Sequence, residues 1–153
     1  MVARDKDSPG RLDAFRLARE RGVLEGTVDA HRLPRVADLL TDGPASIAWR
    51  IEGTVDASGR PALAIALEGA VVLTCQRCLA DLEWLVDERT EVLIAHDERE
   101  VAALDAESSA EVVLAQGPVD PMSLVEDELV LALPFAPRHP DGACESTTTT
   151  RRT

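Results

Sequence analysis

The chain has 153 residues and a mass of 16.5 kDa, which fits a single domain. Sixteen basic and 28 acidic residues give a formal net charge of −12, and aromatic residues make up only 3%. The acidic balance argues against a broad phosphate-binding surface, and the shortage of aromatic rings argues against a platform for stacked bases. Hydrophobic residues make up 45%, which is enough for a buried core, so full disorder is excluded.

The N-terminal third predicts two short helices and one strand. Ser8 followed by Pro9 is typical of a helix start, and Gly22 is placed to end that helix as a left-handed residue. The spacing of apolar residues indicates the remaining bounds. The predicted elements are a helix over 9–21, a strand over 23–28 and a helix over 34–40.

Alternating apolar residues predict three long strands in the middle of the chain. The alternating positions are Ile47, Trp49, Ile51 and Val55, then Leu63, Ile65, Leu67, Val71 and Leu73, then Leu82, Trp84, Val86, Val92 and Ile94. Residues 57–60 predict a hairpin turn, and the tight connections predict an antiparallel meander with one buried face. Gly53 and Gly69 predict bulges or bends within it.

The last third predicts a weakly ordered segment, an edge strand and a helix. Residues 96–110 are acidic and rich in alanine, which indicates a loop or a frayed helix, and residues 111–115 predict an edge strand. Asp120 and Pro121 form a second helix start, and Pro134 ends that helix. The predicted fold class is α+β, an antiparallel β-meander of long strands flanked by short N-terminal helices and a C-terminal helix.

A single domain over 9–145 accounts for all of these elements. The polar segment 1–8 predicts a flexible N-terminus without the apolar stretch of a signal peptide, and the threonine-rich segment 146–153 predicts a disordered tail. No apolar run reaches the length of about 18 residues that spans a membrane. We therefore predict a cytoplasmic location and no membrane partner.

Cys75 and Cys78 form the sharpest motif in the sequence. Two cysteines three residues apart in a tight turn converge on one metal ion, and a structural zinc site needs four ligands. His139 and Cys144 complete a Cys3His set, which predicts a structural zinc centre. Two reduced thiols and a redox-active pair are the alternatives, although the βαβ context typical of a redox pair is missing.

Eleven acidic residues against Arg89 and Arg99 make the segment 81–111 strongly negative. Such a segment is either a solvated face or a docking surface for a basic partner, whose association it would accelerate in a salt-dependent way. The candidate partner-binding residues are Asp81, Glu83, Asp87, Glu88 and Glu91 in this segment, together with Glu126 and Glu128 in the predicted C-terminal helix.

Arginines are concentrated in the N-terminal quarter of the chain. The candidate RNA-binding residues there are Arg11, Arg16, Arg19 and Arg21, with Arg32 and Arg35 nearby. Arg16 and Arg19 can share a helix face, although Asp13 and Glu20 dilute the positive charge. The sequence therefore offers a basic patch as an alternative to the acidic one.

Three segments together match a known pattern. They are residues 72–78, 120–134 and 137–144, and their order and spacing resemble those of the YceD family, the large ribosomal RNA subunit accumulation proteins of bacteria and plastids. The resemblance covers residues 10–145 in outline. Some relatives carry a fuller cysteine set near the last segment, where this sequence has His139 and Cys144.

The resemblance implies a small, cytoplasmic, non-enzymatic protein that is needed for normal amounts of large-subunit ribosomal RNA. Genes of the family tend to neighbour that of a small basic ribosomal protein. This implies a large-subunit ribosomal protein or a pre-ribosomal particle as the partner, an indirect effect on the RNA and no small-molecule substrate. Direct binding of precursor ribosomal RNA by the N-terminal arginines is the alternative, and a thiol-dependent enzyme is the least favoured class.

Overall fold

The computed structural model describes residues 11–140 and Cys144. In chain order the elements are α1 (Ala14–Glu20), β1 (Val23–Asp29), a 3-10 turn (Ala30–Arg32), α2 (Pro34–Ala37), β2 (Ser46–Val55), β3 (Pro61–Thr74), β4 (Asp81–Ala95), α3 (Glu98–Glu107), β5 (Glu111–Leu114) and α4 (Pro121–Ala132). The predicted flexible segments 1–8 and 146–153 lie outside the described residues, and so do Ser8 and Pro9.

The five strands of the described part form one sheet in the order β1-β2-β3-β4-β5. Strands β1 to β4 pair antiparallel, as the alternation predicts, whereas β5 pairs parallel with β4 because α3 carries the chain back before it. The edge strand predicted at 111–115 is confirmed. The fold is α+β, with short helices near the N-terminus and a helix after the sheet.

The inner face of the sheet carries the main hydrophobic core. We define this face as the odd positions of β2 and β3 and the even positions of β1 and β4. Ile51, Leu63 and Val92 lie on it and are fully buried, beneath α1, the α2 region and α4. The predicted alternation is therefore confirmed, and helix α4 begins as predicted, with the Asp120 side chain accepting a hydrogen bond from the Met122 N–H.

The predicted bulges at Gly53 and Gly69 are wrong. Both residues pair in an unbroken ladder, Gly53 with Leu63 and Gly69 with Ile47 and Val86. Glycine is needed for close backbone approach instead, because a Cβ at Gly53 would collide with the carbonyl of Leu17 in α1. A Cβ at Gly69 would likewise collide with a backbone carbonyl of β2.

The first two helices are shorter than predicted. Helix α1 begins at Ala14 because the Asp13 side chain accepts a hydrogen bond from the Arg16 N–H, which caps the helix there. Its left-handed end is Arg21, at φ 54°, and not Gly22. Helix α2 ends at Ala37, since the chain then turns toward β3, where the Thr41 N–H donates to the Val72 carbonyl.

A second, smaller core lies on the outer face, which we define as the opposite positions of the same strands. Residues 96–110, predicted as a loop or frayed helix, contain helix α3, whose N-terminus is capped by the Asp97 side chain. Leu104 of this helix packs with Ala62, Leu93 and Ala95. The sequence pattern missed this core because it marked only the even positions of β4 as buried.

Candidate metal centre

A tight turn between β3 and β4, which we call the knuckle (residues 75–80), brings Cys75 and Cys78 to one end of the sheet. The Cys75 N–H donates to the Ala80 carbonyl at 2.9 Å, and the Leu79 N–H donates to the Cys75 carbonyl at 2.8 Å. Leu79 lies in the left-handed region at φ 62°, where a bulky residue is uncommon. This turn places both sulfur atoms on the same side of the knuckle.

The described residues after Leu133, which we call the arm (residues 134–140 and Cys144), supply the other two candidate ligands. The Gln76 N–H of the knuckle donates to the Pro137 carbonyl of the arm at 2.8 Å. Nε2 of His139 lies 3.0 Å from the carbonyl oxygen of Asp81, at the start of β4. These contacts fix the arm beside the knuckle.

The four side chains meet in one compact cluster. The ligand atoms of Cys75, Cys78, His139 and Cys144 all lie within 4.8 Å of one another. Nδ1 of His139 is 3.4 Å from Sγ of Cys78 and 3.5 Å from Sγ of Cys144. Bonds of about 2.3 Å to sulfur and 2.0 Å to nitrogen in a tetrahedral zinc site imply an S–N separation of about 3.5 Å. The predicted set of four residues is therefore close enough to bind one metal ion.

The two most buried sulfurs, those of Cys75 and Cys144, lie 3.4 Å apart. Tetrahedral zinc would separate two thiolate sulfurs by about 3.8 Å, and a small side-chain rotation is enough to reach that distance. Cys75 is 0% exposed and Cys144 is 5% exposed. All four coordination positions would come from the protein in a largely closed site, which is the arrangement of a structural centre and not of a catalytic one.

The hydrogen bond of His139 to a backbone carbonyl suits a metal ligand. A carbonyl oxygen can only accept, so Nε2 is the donor to Asp81. Nδ1 is the nitrogen that faces the sulfurs of Cys78 and Cys144. A carbonyl partner on the far nitrogen is the usual way in which proteins orient a metal-binding histidine.

Burial raises the pKa of the Cys75 thiol, but hydrogen bonds from the backbone N–H groups of Cys78, His139 and Arg77 outweigh it and lower this pKa to about 5. Burial first, and then the neighbouring Cys75 and Cys78 sulfurs, raise the pKa of the Cys144 thiol to about 11. Neighbouring thiolates repel one another, so the donor set suits a cation that pairs with several of them at once.

The structure divides the predicted partner-binding residues into two groups. Asp81, Glu83, Asp87 and Glu91 are exposed on the outer face of β4, and Glu88 is exposed at an inner-face position. The two acidic residues of α4 do not share that surface. Glu126 is half-buried and accepts hydrogen bonds from the Arg35 N–H and guanidinium, and Glu128 is only 6% exposed.

The buried Glu128 carboxyl is unusual in a chain this acidic. Burial, a hydrogen bond with Glu111 and repulsion by it raise the pKa of Glu128 from an ordinary 4.5 to about 7. A hydrogen bond with Thr90 of β4 opposes this rise. The sequence analysis counted Glu128 among the partner-binding candidates, because it ends the run of three acidic residues 126–128.

The strand register adds four carboxylates that the sequence did not single out. Glu25 and Asp29 of β1, Glu52 of β2 and Glu68 of β3 lie on the outer face with the acidic residues of β4. The alternation of the strands contained this signal, because the residues that alternate with buried apolar residues along a strand point to the outer face.

Acidic partners offset part of the arginine-rich N-terminal quarter. Arg16 pairs with Glu20 at 3.2 Å, and Arg35 pairs with Glu126 and Asp127 of α4. Arg11 donates to the carbonyl of Pro118 at 3.3 Å. The remaining predicted RNA-binding residues, Arg19 and Arg21, are exposed at the end of α1.

Sheet, helices and cluster define an α+β protein with a candidate structural metal centre. The profile of the family described as "Large ribosomal RNA subunit accumulation protein YceD" matches residues 63–152, more than half of the chain and all four candidate ligands. The chain therefore belongs to the YceD family, as its motifs indicated. No solved structure matches it. Within the described residues, every helix is too short or too polar to span a membrane.

Proposed function

We propose that this protein is a non-enzymatic cytoplasmic factor for the accumulation of large-subunit ribosomal RNA, and that it binds a basic large-subunit ribosomal protein, free or within a pre-ribosomal particle. The family description supports the role in accumulation. The charge on the outer face of the sheet supports the kind of partner. The effect on the RNA is then indirect, because a ribosomal protein that is not delivered leaves the RNA unprotected.

We call the outer-face carboxylates together the acidic face. They are Glu25, Asp29, Glu52, Glu68, Asp81, Glu83, Asp87 and Glu91. Two arginines share this face, and one of them, Arg50, lies 3.0 Å from Glu25 and 3.9 Å from Glu52. Arg89 is the second. The excess of negative charge complements a basic protein and repels a phosphate backbone.

The observation that carries the proposal is the pairing of Glu68 with Asp87 across β3 and β4. Like charges directly opposite each other destabilise a sheet. Neither carboxylate has a hydrogen bond or ion pair with another described residue. They border a groove of about 550 Å³, whose floor includes Ala48 and Ala66. The opposed carboxylates lower the stability of the sheet, and they lie beside an open groove. This combination favours a binding role for them over a role in solubility alone.

We propose that the four clustered residues hold a structural Zn²⁺ ion. The S–N distances, the closed surroundings and the hydrogen bond of His139 to the Asp81 carbonyl support it. Bound zinc would neutralise the thiolates and join the knuckle to the arm. Full burial of Cys75 supports a structural role over a thiol-dependent reaction, because a nucleophilic cysteine has to be reached by its substrate.

The test is a binding titration with purified basic large-subunit ribosomal proteins, at low and at high salt. We expect salt-sensitive binding that the double variant E68Q/D87N weakens by roughly tenfold. The same variant should be slightly more stable to unfolding, since it removes the opposed charges. This combination separates a binding role from a structural one.

The matched control is E98Q/D105N, which makes the same change in net charge on the exposed side of α3. It should leave binding nearly unchanged. Equal binding by the native protein and E68Q/D87N would refute the proposal that the acidic face binds the partner. Tight binding of large-subunit ribosomal RNA alone, weakened by substitution of Arg19 and Arg21, would establish the alternative function.

A further inference from the structure

An apolar cavity lies beside the knuckle, where the end of α2, the end of β3 and the arm meet. Its volume is about 270 Å³, and its apolar lining consists of Leu39, Leu40, Leu73, Leu133, Pro134, Phe135 and Pro137. Two of these side chains are unusually exposed, Phe135 at 105% and Leu39 at 50%. Exposed apolar side chains around a hole are typical of a binding site for another apolar group.

The backbone is anchored on both sides of Phe135. Leu133 before it is buried in the main core, and the Pro137 carbonyl after it accepts a hydrogen bond from Gln76 of the knuckle. Phe135 therefore projects from a short, anchored segment that contains two prolines. With the backbone anchored, binding of the exposed ring costs only the freedom of its two side-chain torsions, so its contact area contributes efficiently to affinity.

The charge at the rim indicates what enters the cavity. Asp38 is the one charged residue in the lining, beside the neutral Thr74 and Gln76. Its carboxylate has no hydrogen bond or ion pair within 11–140 and Cys144. A second copy of the chain would bring a net charge of −12 against −12, which opposes self-association. A cation next to an apolar side chain complements both features.

We propose that this cavity receives a bulky apolar side chain from an extended segment of a basic protein, and that a lysine or arginine next to that side chain pairs with Asp38. The inference rests on the proposed function, because it takes the same class of partner. It adds an apolar anchor, at a separate site by the knuckle, to the charge attraction of the acidic face. The anchor gives selectivity, since charge alone attracts any basic chain.

Two synthetic peptides test this directly. Both have twelve residues of lysine, glycine and serine, and they differ only at the centre, which is leucine in one and serine in the other. Fluorescence anisotropy of the labelled peptides gives their affinities at low salt. We expect the leucine peptide to bind the native protein roughly tenfold more tightly.

The preference for leucine should disappear in Leu39→Ala and in Phe135→Ala, and Asp38→Asn should weaken both peptides. Leu39 and Phe135 are exposed, so these variants keep the fold, which circular dichroism verifies. Val55→Ala is the matched control, because Val55 is 38% exposed and lies next to the hairpin, at the other end of β2 and β3. It should keep the preference.

Equal binding of the two peptides would overturn the proposed anchor. The proposed role of the acidic face would still hold if E68Q/D87N weakened the binding of both peptides. A preference that survives Leu39→Ala and Phe135→Ala would place the anchor elsewhere and overturn the proposal. Failure of both peptides to bind would overturn the anchor and the acidic face together. A dimer in sedimentation that Phe135→Ala dissolves would assign the patch to a second copy instead.

Discussion

The two ends of the sheet are closed in different ways. At the hairpin end, Asp56 accepts hydrogen bonds from the backbone N–H groups of Ser58 and Arg60 and pairs with the Arg60 guanidinium at 2.8 Å, all within five residues. At the knuckle end, Cys75 and Cys78 meet partners from the arm, about sixty residues further along the chain. Local contacts close the first turn, and Glu107 of α3 adds one ion pair with Arg60 at 3.2 Å. The second turn depends on a distant segment and on the ion that we propose joins them.

The largest expected effect follows from removing the proposed zinc ion from the knuckle end. Cys78→Ser should abolish stoichiometric zinc binding, measured by elemental analysis of the purified protein. It should lower the unfolding midpoint by on the order of 5–10 °C, because a ligand that binds only the folded state contributes to stability by mass action. The three cysteines of the candidate metal centre lie outside the main core, so the variant should remain folded.

A chelator should reproduce that shift in the native protein and have no further effect on Cys78→Ser. Hydrogen exchange should increase in the arm, around Pro137 and His139, while β2 remains protected. Gln76→Ser, in the same turn but without a ligand atom, is the control. Native protein that carries no zinc after purification with zinc present would contradict the proposed centre.

The second effect concerns the body of the sheet and depends on pH. Because the pKa of Glu128 is raised to about 7 in the fold, the folded state holds a proton that the unfolded state releases near pH 4.5. The contribution of Glu128 to stability is therefore greatest at low pH and is lost as pH rises from about 4.5 through 7. Between pH 5 and pH 8, Glu128→Gln should gain about 2 kcal/mol relative to the native protein.

Chemical denaturation at several pH values measures this difference. The groups that face Glu128 are Thr90 and Glu111 on the neighbouring strands and Asp127 on its own helix. Glu98→Gln, an exposed change of the same charge, should leave the pH profile of the native protein intact. Parallel profiles for Glu128→Gln and the native protein would show that Glu128 is ionised throughout this range.

The third effect belongs to the hairpin end. Asp56→Ala removes the acceptor that closes the turn, and we expect the unfolding midpoint to fall by roughly 3 °C. Chelation of zinc should change this decrease in the unfolding midpoint very little, because the hairpin has no contact with the candidate metal centre. A shift that grows after zinc removal would mean that the two ends are coupled through β3.

The contrast between local and distant contacts also explains what the sequence could predict. The strands, the hairpin and the start of α4 follow from short-range patterns, such as alternation or Asp120 before Pro121, and these were confirmed. Cys75 and Cys78 were recognised because they lie only three residues apart in the chain. Their grouping with His139 and Cys144 was a hypothesis about ligand number, and the fold supports it by bringing the four together.

The failures of the sequence predictions come from tertiary packing that no local pattern contains. Glu128 sits in a charged run, yet α4 packs against β4 and β5 in a way that buries it. Gly53 lies in a regular strand, and only the position of α1 explains it. Glu68 and Asp87 become a like-charge pair only through the register of β3 and β4.

The smallest effect tests the backbone of the knuckle itself. Leu79 adopts φ 62° and is 73% exposed, so its side chain strains the turn and contributes little packing. Glycine has no such penalty, and Leu79→Gly should raise the free energy of unfolding by up to about 1 kcal/mol, reduced by the greater freedom of glycine in the unfolded chain.

Leu85→Gly is the matched control, because Leu85 is 72% exposed but lies within strand β4. There the same substitution should destabilise the protein, since glycine weakens a strand interior. Opposite signs at two equally exposed leucines would show that the knuckle stores backbone strain, which the contacts around the four ligands hold in place. The same sign at both would mean that Leu79 packs against the cluster or the arm, and the knuckle would then depend on its side chain as well as on its ligands.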